Sequence, residues 1–535
     1  MKQKHLLLTL LSALLLSLPW YENFSGLLLL AAFVPLLVVE NDFAQSGKRG
    51  FWKYAWLCLF LWNAAATWWI FNATAFGMIF AFVGNSAQML LVVWLFHMVK
   101  KYTNRAVGYA SFVALWLAWE WFYFDAEITW TWLTLGNGFA KDIALVQWYE
   151  LTGALGGSLW VLLCNLSIFF ILQKIVAEKK SLRSLRVEIA ALALLVALPC
   201  GYSLVRFYTY KEEVNPCNVL LLQPNIDPFN DKFNGLSNQQ QLDIILAQAD
   251  SAITPNVDYV IAPETAVEGN LWISNLHQSP AIGRLREFCE GNPNVNFITG
   301  AVTYRFFRKG EKIPANARQF SDANKFYEVY NSALHIDSSG CVQHYHKSKL
   351  VVGVEMLPYP HLLGFLGDLA INLGGTAGGL GTQKKRVAFP SGNGKFRAGV
   401  AICYESIFGQ FFTEYIKKGA NVMVIITNDG WWKDTPGHRQ HLRFASLRAI
   451  ETRRSIARAA NTGISAIINQ RGQIEQRTQW WVRTTLAGSL NANRHVTPYV
   501  MHGDVIGRIA GLLTLLILCL ALSQRLLPKE LRIDG

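Results

Sequence analysis

The stretch Arg397-Ala-Gly-Val-Ala-Ile-Cys-Tyr-Glu-Ser-Ile-Phe408 decides the fold of the part of the chain in which it lies. Its apolar run has the length of a buried strand and stops at Cys403, and the amphipathic pattern of Ile407 to Lys418 follows at once. A strand running through a cysteine into a helix places the thiol near a helix N-terminus. That position lowers a thiol pKa and offers backbone N–H groups to a developing oxyanion. A buried structural cysteine fits the same segment, so the stretch defines a fold before it defines a chemistry.

The same alternation continues outward in both directions. Strands are expected at Val219 to Leu222, Tyr259 to Ala262, Asn296 to Val302, Tyr330 to Ile336, Phe396 to Ile402, Val422 to Ile426 and Ile464 to Ile468. Helices are expected at Asn238 to Ala252, Ser279 to Glu290, Ile407 to Lys418 and Gly437 to Thr452. From Asn218 to about Leu486 the chain therefore predicts an α/β layered domain whose sheet is covered by helices. The glycine-rich stretch 358–383 interrupts the pattern beside the chemically suggestive segments, and reads either as a lid or as a surface loop.

Outside this domain the composition changes. Apolar segments near the roughly 20 residues that span a bilayer recur at Leu6 to Trp20, Phe24 to Val39, Trp56 to Phe71, Phe76 to Val99, Val107 to Phe124, Leu159 to Val176 and Val187 to Tyr208. One more runs from Val505 to Leu522. Residues 1–210 are thus expected to form a polytopic membrane bundle, 211–495 an extramembrane domain, and 500–535 a final span and tail, about eight spans in all. Over the 535 residues, 52% are hydrophobic, 16% are charged and the mean hydropathy is +0.22, which excludes a disordered or small disulfide-stapled chain.

The net charge of +13 suggests nucleic acid only if it lies on one soluble face. It falls instead in alternate loops: Lys2 and Lys4, then Lys48, Arg49 and Lys53, then Lys100, Lys101 and Arg105, then Lys174, Lys179, Lys180, Arg183 and Arg186. The tail adds Arg525, Lys529 and Arg532, while Lys141 is the main exception. Basic loops stay on the cytoplasmic side, so both termini are expected inside, the α/β domain outside, and no nucleic-acid partner is indicated. The long connection Asp125 to Gly157 carries Trp130, Trp132, Trp148 and Tyr149, and reads either as an interfacial aromatic belt or as a loop that folds back. Apart from Glu120 the spans show no intramembrane charge pair or broken-helix signal.

Two more segments could carry chemistry. Tyr259-Val-Ile-Ala-Pro-Glu264 ends an apolar run on a carboxylate, whose burial would raise its pKa and make it a base. Tyr345-His-Lys347-Ser-Lys349 alternates two lysines, which on an extended segment face one way. Each alone fits a structural residue or a solvated strand face. No metal or cofactor is indicated, because His438 and His441 lack a matching ligand set and no phosphate loop or dinucleotide fingerprint occurs. Cys217, Cys289 and Cys341 accompany Cys403 in the outer domain, where a disulfide is permitted but its pairing is open.

Taken in order, Pro263-Glu-Thr-Ala, Tyr345-x-Lys-x-x-Leu-Val with Glu355, Ala401-Ile-Cys-Tyr-Glu, Thr427-Asn-Asp-Gly-Trp-Trp and Arg448-Ala-Ile-Glu-Thr-Arg-Arg resemble the nitrilase superfamily. With Ala460-Asn-Thr-Gly-Ile-Ser-Ala-Ile-Ile and the multispan N-terminus, the whole chain is similar to the apolipoprotein N-acyltransferases. That resemblance implies a nitrilase-like αββα sandwich and a catalytic triad of Glu264, Lys347 and Cys403, supported by Glu355, Tyr404 and Glu405. It implies a bacterial inner-membrane enzyme that moves an acyl chain from a phospholipid, through a cysteine thioester, to the N-terminal amine of a diacylated lipoprotein. Its catalytic domain would be periplasmic, and the reaction would be the last step of lipoprotein maturation. Two positions depart from the family pattern. Leu350-Val-Val-Gly-Val-Glu355 replaces Leu-Val-Pro-Phe-Gly-Glu, and Phe233 stands where a Trp is common.

Phe233, Trp431 and Trp432 are candidates to line an acyl path, the two tryptophans equally well a packed core. The arginines between Arg439 and Arg458 read as lipid-phosphate contacts or as structural residues of a helix. A membrane-anchored amidase of the same superfamily would need the same triad. A transporter or receptor with a ligand-binding outer domain would need none of it.

Overall fold

The computed structural model of the chain describes residues 2–232, 235–314, 316–320, 325–356, 359 and 379–527. It divides into two compact units, one of residues 1–68, 78–209 and 502–535, the other of 69–77 and 210–501.

The first unit is helical. Among the described residues six helices are long and apolar enough to cross a membrane: Gly26–Ser46, Phe51–Asn72, Ala75–Tyr102, Ala154–Val176, Leu182–Thr209 and Val505–Leu526. The two other expected spans are helices as well. Lys2–Ser17 has only 16 residues, and Arg105–Tyr123 mixes its apolar run with Glu120 and the tryptophans 116, 119 and 121.

Near the prolines of these helices, side chains of neighbouring helices bond backbone groups that lack a partner within their own helix. The helix is interrupted at Phe33, just ahead of Pro35, and there the buried Asn165 accepts the N–H groups of Phe33 (2.7 Å) and Val34 (3.2 Å) and donates to the Leu29 carbonyl (2.7 Å). Pro199 cannot bond to the Leu195 carbonyl four residues back, and the Trp160 indole N–H donates to that oxygen at 2.8 Å instead.

Glu120 is not the only buried charge of this unit. Glu40 accepts from Lys100 Nζ at 2.6 Å and meets His97 Nδ1 at 2.8 Å. The pair sits where apolar runs give way to polar residues, so each partner reads as a loop residue on its own. The 125–157 connection folds back: Trp132 and Tyr149 are fully buried, the Leu135 N–H donates to Glu120 at 2.9 Å, and the Tyr149 hydroxyl donates to the Gly136 carbonyl at 2.9 Å. Trp130 and Trp148 are half-buried. Gly136 is required there, since a Cβ would lie 1.9 Å from the Ala154 carbonyl oxygen.

The second unit is built on two sheets. Its strands are β1 (Pro216–Gln223), β2 (Tyr259–Ile261), β3 (Asn296–Phe306), β4 (Arg318–Gln319), β5 (Phe326–Ile336), β6 (Val342–His346), β7 (Ala388–Pro390), β8 (Arg397–Ile402), β9 (Val422–Thr427), β10 (Ile456–Ala460), β11 (Ala466–Ile468), β12 (Ile474–Arg477) and β13 (Thr484–Asn491). One sheet runs β13-β1-β2-β3-β5-β4, with β6 also on β5, and the other runs β12-β11-β10-β9-β8-β7. The pairs β1-β2, β2-β3, β8-β9 and β9-β10 are parallel.

Helices Asn238–Ala252 and Pro280–Gly291 bury Leu242, Ile245, Ile282 and Leu285 on Leu220, Val260, Phe297 and Leu334 of the first sheet. Gly409–Lys417 and Pro436–Thr452 cover the second. The sheets meet face to face, with Gly488 of β13 against Ile467 of β11. The architecture is therefore helix, sheet, sheet, helix. β1 and β13 pair antiparallel from Pro216↔Asn491 to Gln223↔Thr484, so the unit opens and closes on neighbouring strand ends, which suits a domain inserted between two membrane helices.

Candidate active site

The candidate residues sit where strands end, the part of an α/β sheet that presents side chains to ligands. β2 is followed by Ala262-Pro263-Glu264, β6 by Lys347, β8 by Cys403 and β9 by Asn428. Gly300 of β3 lets the Glu264 loop cross closely: a Cβ there would lie 2.4 Å from Thr265 N and 2.6 Å from Glu264 Cα. β6 stops at His346, so Lys347 and Lys349 do not share a strand face. Lys347 is buried with the carboxylates, whereas Lys349 lies over the Phe408 ring at 5.0 Å.

Lys347 Nζ donates to Glu264 Oε1 at 3.0 Å and to Glu355 Oε1 at 2.8 Å. Asn331 of β5 donates its amide to Glu264 Oε1 at 2.8 Å and to Glu355 Oε1 at 3.2 Å. The Asn428 N–H donates to Glu264 Oε2 at 3.0 Å. Glu355 reaches this position through a turn at Gly353 (φ 82°), and its Oε2 accepts the Val351 N–H at 2.8 Å. The departure from the family sequence before Glu355 is thus accommodated by a glycine in the left-handed region.

Burial pushes the Glu264 carboxyl up, but the Lys347 charge and the donors around it outweigh burial, and the net pKa is below the ordinary value. This reverses the expectation from sequence that burial makes Glu264 a weak acid. Burial lowers the Lys347 pKa and its two carboxylates raise it further, leaving it well above the ordinary value. Burial, then the Glu264 charge, push the Cys403 thiol well up. The resting site therefore holds an ammonium between carboxylates and a neutral thiol.

Cys403 is buried with φ 52°, and opens a short 3-10 turn, Cys403–Ile407. Tyr404 is buried edge-on to Phe408, with ring centroids 5.1 Å apart. Glu405 is fully buried and frames the turn: it accepts from Tyr345 (2.7 Å), the Ser348 N–H (2.6 Å) and the Ile402 N–H (2.8 Å). It thereby joins the nucleophile segment to the lysine segment.

Phe233 lies outside the described residues, as do 358 and 360–378 of the glycine-rich stretch. The end of that stretch is tied down, with the Leu380 N–H on the Glu355 carbonyl at 2.9 Å and the Gly381 N–H on that of Val329 at 2.8 Å. Trp431 and Trp432 are half-buried, against Phe229 (5.4 Å) and Trp69 (4.9 Å) respectively. Beside them Phe229, Lys433, Trp480 and Trp481 line a cleft of about 580 Å³.

The arginines are mostly structural, and not all lie on the helix. Arg448 pairs with Glu451 at 2.8 Å, Arg454 donates to the carbonyls of Ala420, Thr452 and His495, and Arg458 is on β10. All eight cysteines are free thiols.

Sequence reasoning does not reach Asn331, Asp429 and His441 in this setting. Asp429 lies inside the Thr427-Asn-Asp-Gly motif without a role of its own, and His441 fits a helix face. Donor atoms of Cys403, Asp429 and His441 lie within 4.8 Å of one another, the one grouping of metal-ligand type among the described residues. Asp429 is already bound by Arg458, by Thr427 Oγ1 (2.8 Å) and by His441 Nδ1 (3.0 Å), so an ion would have to displace that guanidinium.

A buried Glu-Lys-Cys constellation at the strand ends of an αββα sandwich, joined to a multi-pass membrane bundle, defines a membrane protein with a nitrilase-superfamily domain. Family comparison agrees: residues 236–496 match the carbon-nitrogen hydrolase family and 12–167 the apolipoprotein N-acyltransferase N-terminal domain. The chain belongs to the apolipoprotein N-acyltransferase family.

It is 28% identical to the apolipoprotein N-acyltransferase of Chlorobaculum tepidum over 505 residues, covering 92% of each chain. It is 25% identical to that of Geobacter metallireducens over 513 residues, covering 93% of this chain and 92% of the other. Among solved structures, a CN-hydrolase superfamily protein from Xanthomonas campestris aligns with a TM-score of 0.37 at 14% identity, covering 54% of this chain and 98% of the other.

Proposed function

We propose that this protein transfers an acyl chain from a membrane phospholipid to the N-terminal amine of a diacylglyceryl-cysteine lipoprotein, through a thioester on Cys403. The observation that carries this reading is the convergence of Glu264, Lys347 and Cys403 in a chain whose other unit is a membrane bundle. Cys403 Sγ attacks the ester carbonyl while Glu264 takes the thiol proton. The tetrahedral oxyanion is met by Lys347, whose ammonium has three protons and bonds two carboxylates among the described residues. Losing one such donor costs about 3 to 4 kcal/mol of barrier height. The C–O bond breaks, the proton held by Glu264 goes to the leaving oxygen, and a lysophospholipid departs.

The lipoprotein amine then attacks the thioester carbonyl and Glu264 accepts its proton; as the C–S bond breaks, Glu264 passes that proton to the departing sulfur, which restores the thiol and the carboxylate. Both substrates carry acyl chains, each buried CH₂ of which contributes about 0.8 kcal/mol to membrane residence. A catalyst tethered to the bilayer meets them there. On this reading residues 1–210 and 500–535 form the membrane part, 211–495 is the periplasmic catalytic domain, and both termini are cytoplasmic in the bacterial inner membrane.

The test is lipoprotein mass. In phospholipid vesicles the protein should convert a diacylated lipopeptide to the triacylated form, and Cys403→Ala should abolish this. Conversion by Cys403→Ala sinks the nucleophile assignment. Release of free fatty acid at an undiminished rate without any amine acceptor would instead identify a hydrolase.

A further inference from the structure

The proposed chemistry leaves a chain of buried polar side chains beneath Cys403 without a task. Cys403 has φ 52°, a conformation that any residue with a Cβ adopts only when its surroundings impose it. Two donors converge on its carbonyl oxygen: Ser406 Oγ–H at 2.8 Å and His441 Nε2 at 3.2 Å. A carbonyl only accepts, so Nε2 carries the hydrogen in that contact. The same nitrogen lies 3.0 Å from Ser406 Oγ.

On its other side His441 Nδ1 meets Asp429 Oδ1 at 3.0 Å, and Asp429 is fixed by Arg458 and Thr427. Every side chain in this chain is buried. The turn after β9 thus reaches both reacting groups: the Asn428 N–H donates to Glu264, and Asp429 next to it orients the histidine that grips Cys403.

We infer that Asp429 and His441 are positioning residues, a clamp on the Cys403 carbonyl that holds the nucleophile's left-handed turn in register with Glu264. The inference rests on the reading of Cys403 as nucleophile. His441 Nε2 is turned to the Cys403 carbonyl and Nδ1 is held by Asp429, so in this arrangement the ring orients the nucleophile residue and does not serve as its base. A misplacement of about 1 Å at a reacting atom is worth roughly a hundredfold in rate.

The full-length protein in detergent carries two readouts, both followed by mass at Cys403: acylation by phospholipid, and alkylation by chloroacetamide. His441→Phe keeps a ring and removes the donor. It should slow both reactions about ten- to a hundredfold, with the phospholipid KM within about twofold of the wild-type value. His441→Gln keeps an N–H within reach of the carbonyl and should recover much of the loss. Where His441→Phe fails to fold, Asp429→Asn decides instead and should slow both reactions alike. Wild-type rates in His441→Phe, or in Asp429→Asn where that variant decides, overturn the clamp, as does a His441→Gln variant no faster than His441→Phe. Wild-type protein that is alkylated but never acylated would remove the acyltransferase reading, and the alkylation rates would still decide the clamp.

Discussion

At the residue scale the site depends on one ammonium group serving two carboxylates. Because Lys347 holds Glu264 below the ordinary carboxyl range, Glu264 is ionised at neutral pH and its stabilising contribution is lost only as pH falls through the depressed value. Acyl-enzyme formation should therefore stay flat from neutral pH down past 4.5, the ordinary Glu value. In Lys347→Met the acid limb should move above that value and the plateau should drop by at least about a hundredfold. A native limb at or above 4.5 would contradict the ion pair.

Asp429 behaves likewise. Burial raises its pKa and the Arg458 charge lowers it more, to well below the ordinary range. Asp429→Asn leaves that guanidinium unpaired and should destabilise the domain by about 3 to 5 kcal/mol. Denaturant unfolding at neutral pH measures this, and an unchanged midpoint would show that the buried pair is not stabilising.

At the scale of elements, glycine and proline explain contacts that apolar patterning does not. Gly300 has β3 neighbours on each side and backbone of the Glu264 loop above it, so Gly300→Ala must displace that loop. We expect acylation to fall at least about tenfold, while Gly201→Ala, which meets nothing within 4 Å, should be silent. In the bundle, Trp160→Phe leaves the Leu195 carbonyl, already without its helix partner because of Pro199, unsatisfied, at a cost of about 1 to 3 kcal/mol. The double variant Trp160→Phe/Pro199→Ala should recover most of that loss in thermal melts.

The strongly patterned elements were legible in the sequence, and helix Asn238–Ala252, with its Ser237 and Gln240 capping box, lies where expected. β10 was not, because Ile456-Ala-Arg-Ala-Ala buries Arg458, and a charged residue in a short run hides a strand. β12 was missed since it is short and largely exposed, and β13 since its Thr, Ser, Gly and Asn residues leave little apolar alternation on a half-buried strand. Within the site, strand-end residues could be read from apolar runs that stop on a polar side chain. Asn331 and His441 could not, for their partners lie far away in sequence.

At the scale of the whole molecule, the apolar composition divides between two kinds of environment. Helices Leu182–Thr209 and Val505–Leu526 turn most of their surface outward, with only 6% and 11% buried, as lipid-facing helices do. The +13 charge follows the alternate loops of the bundle, and on our reading it records orientation. Cys341 is exposed in the second unit, and on our reading, which puts that unit in the periplasm, a membrane-impermeant maleimide should label it in spheroplasts without lysis. Labelling only after permeabilisation would invert the topology.

The central claim, a thioester on Cys403 between a phospholipid and an amine, is tested most directly by trapping the acyl-enzyme. Protein incubated with phospholipid vesicles, acid-quenched and digested should yield the Cys403 peptide carrying one acyl chain. Added diacylated lipopeptide should discharge that chain into an amide as fast as product forms. An unmodified Cys403 peptide while triacylated product accumulates would contradict the account.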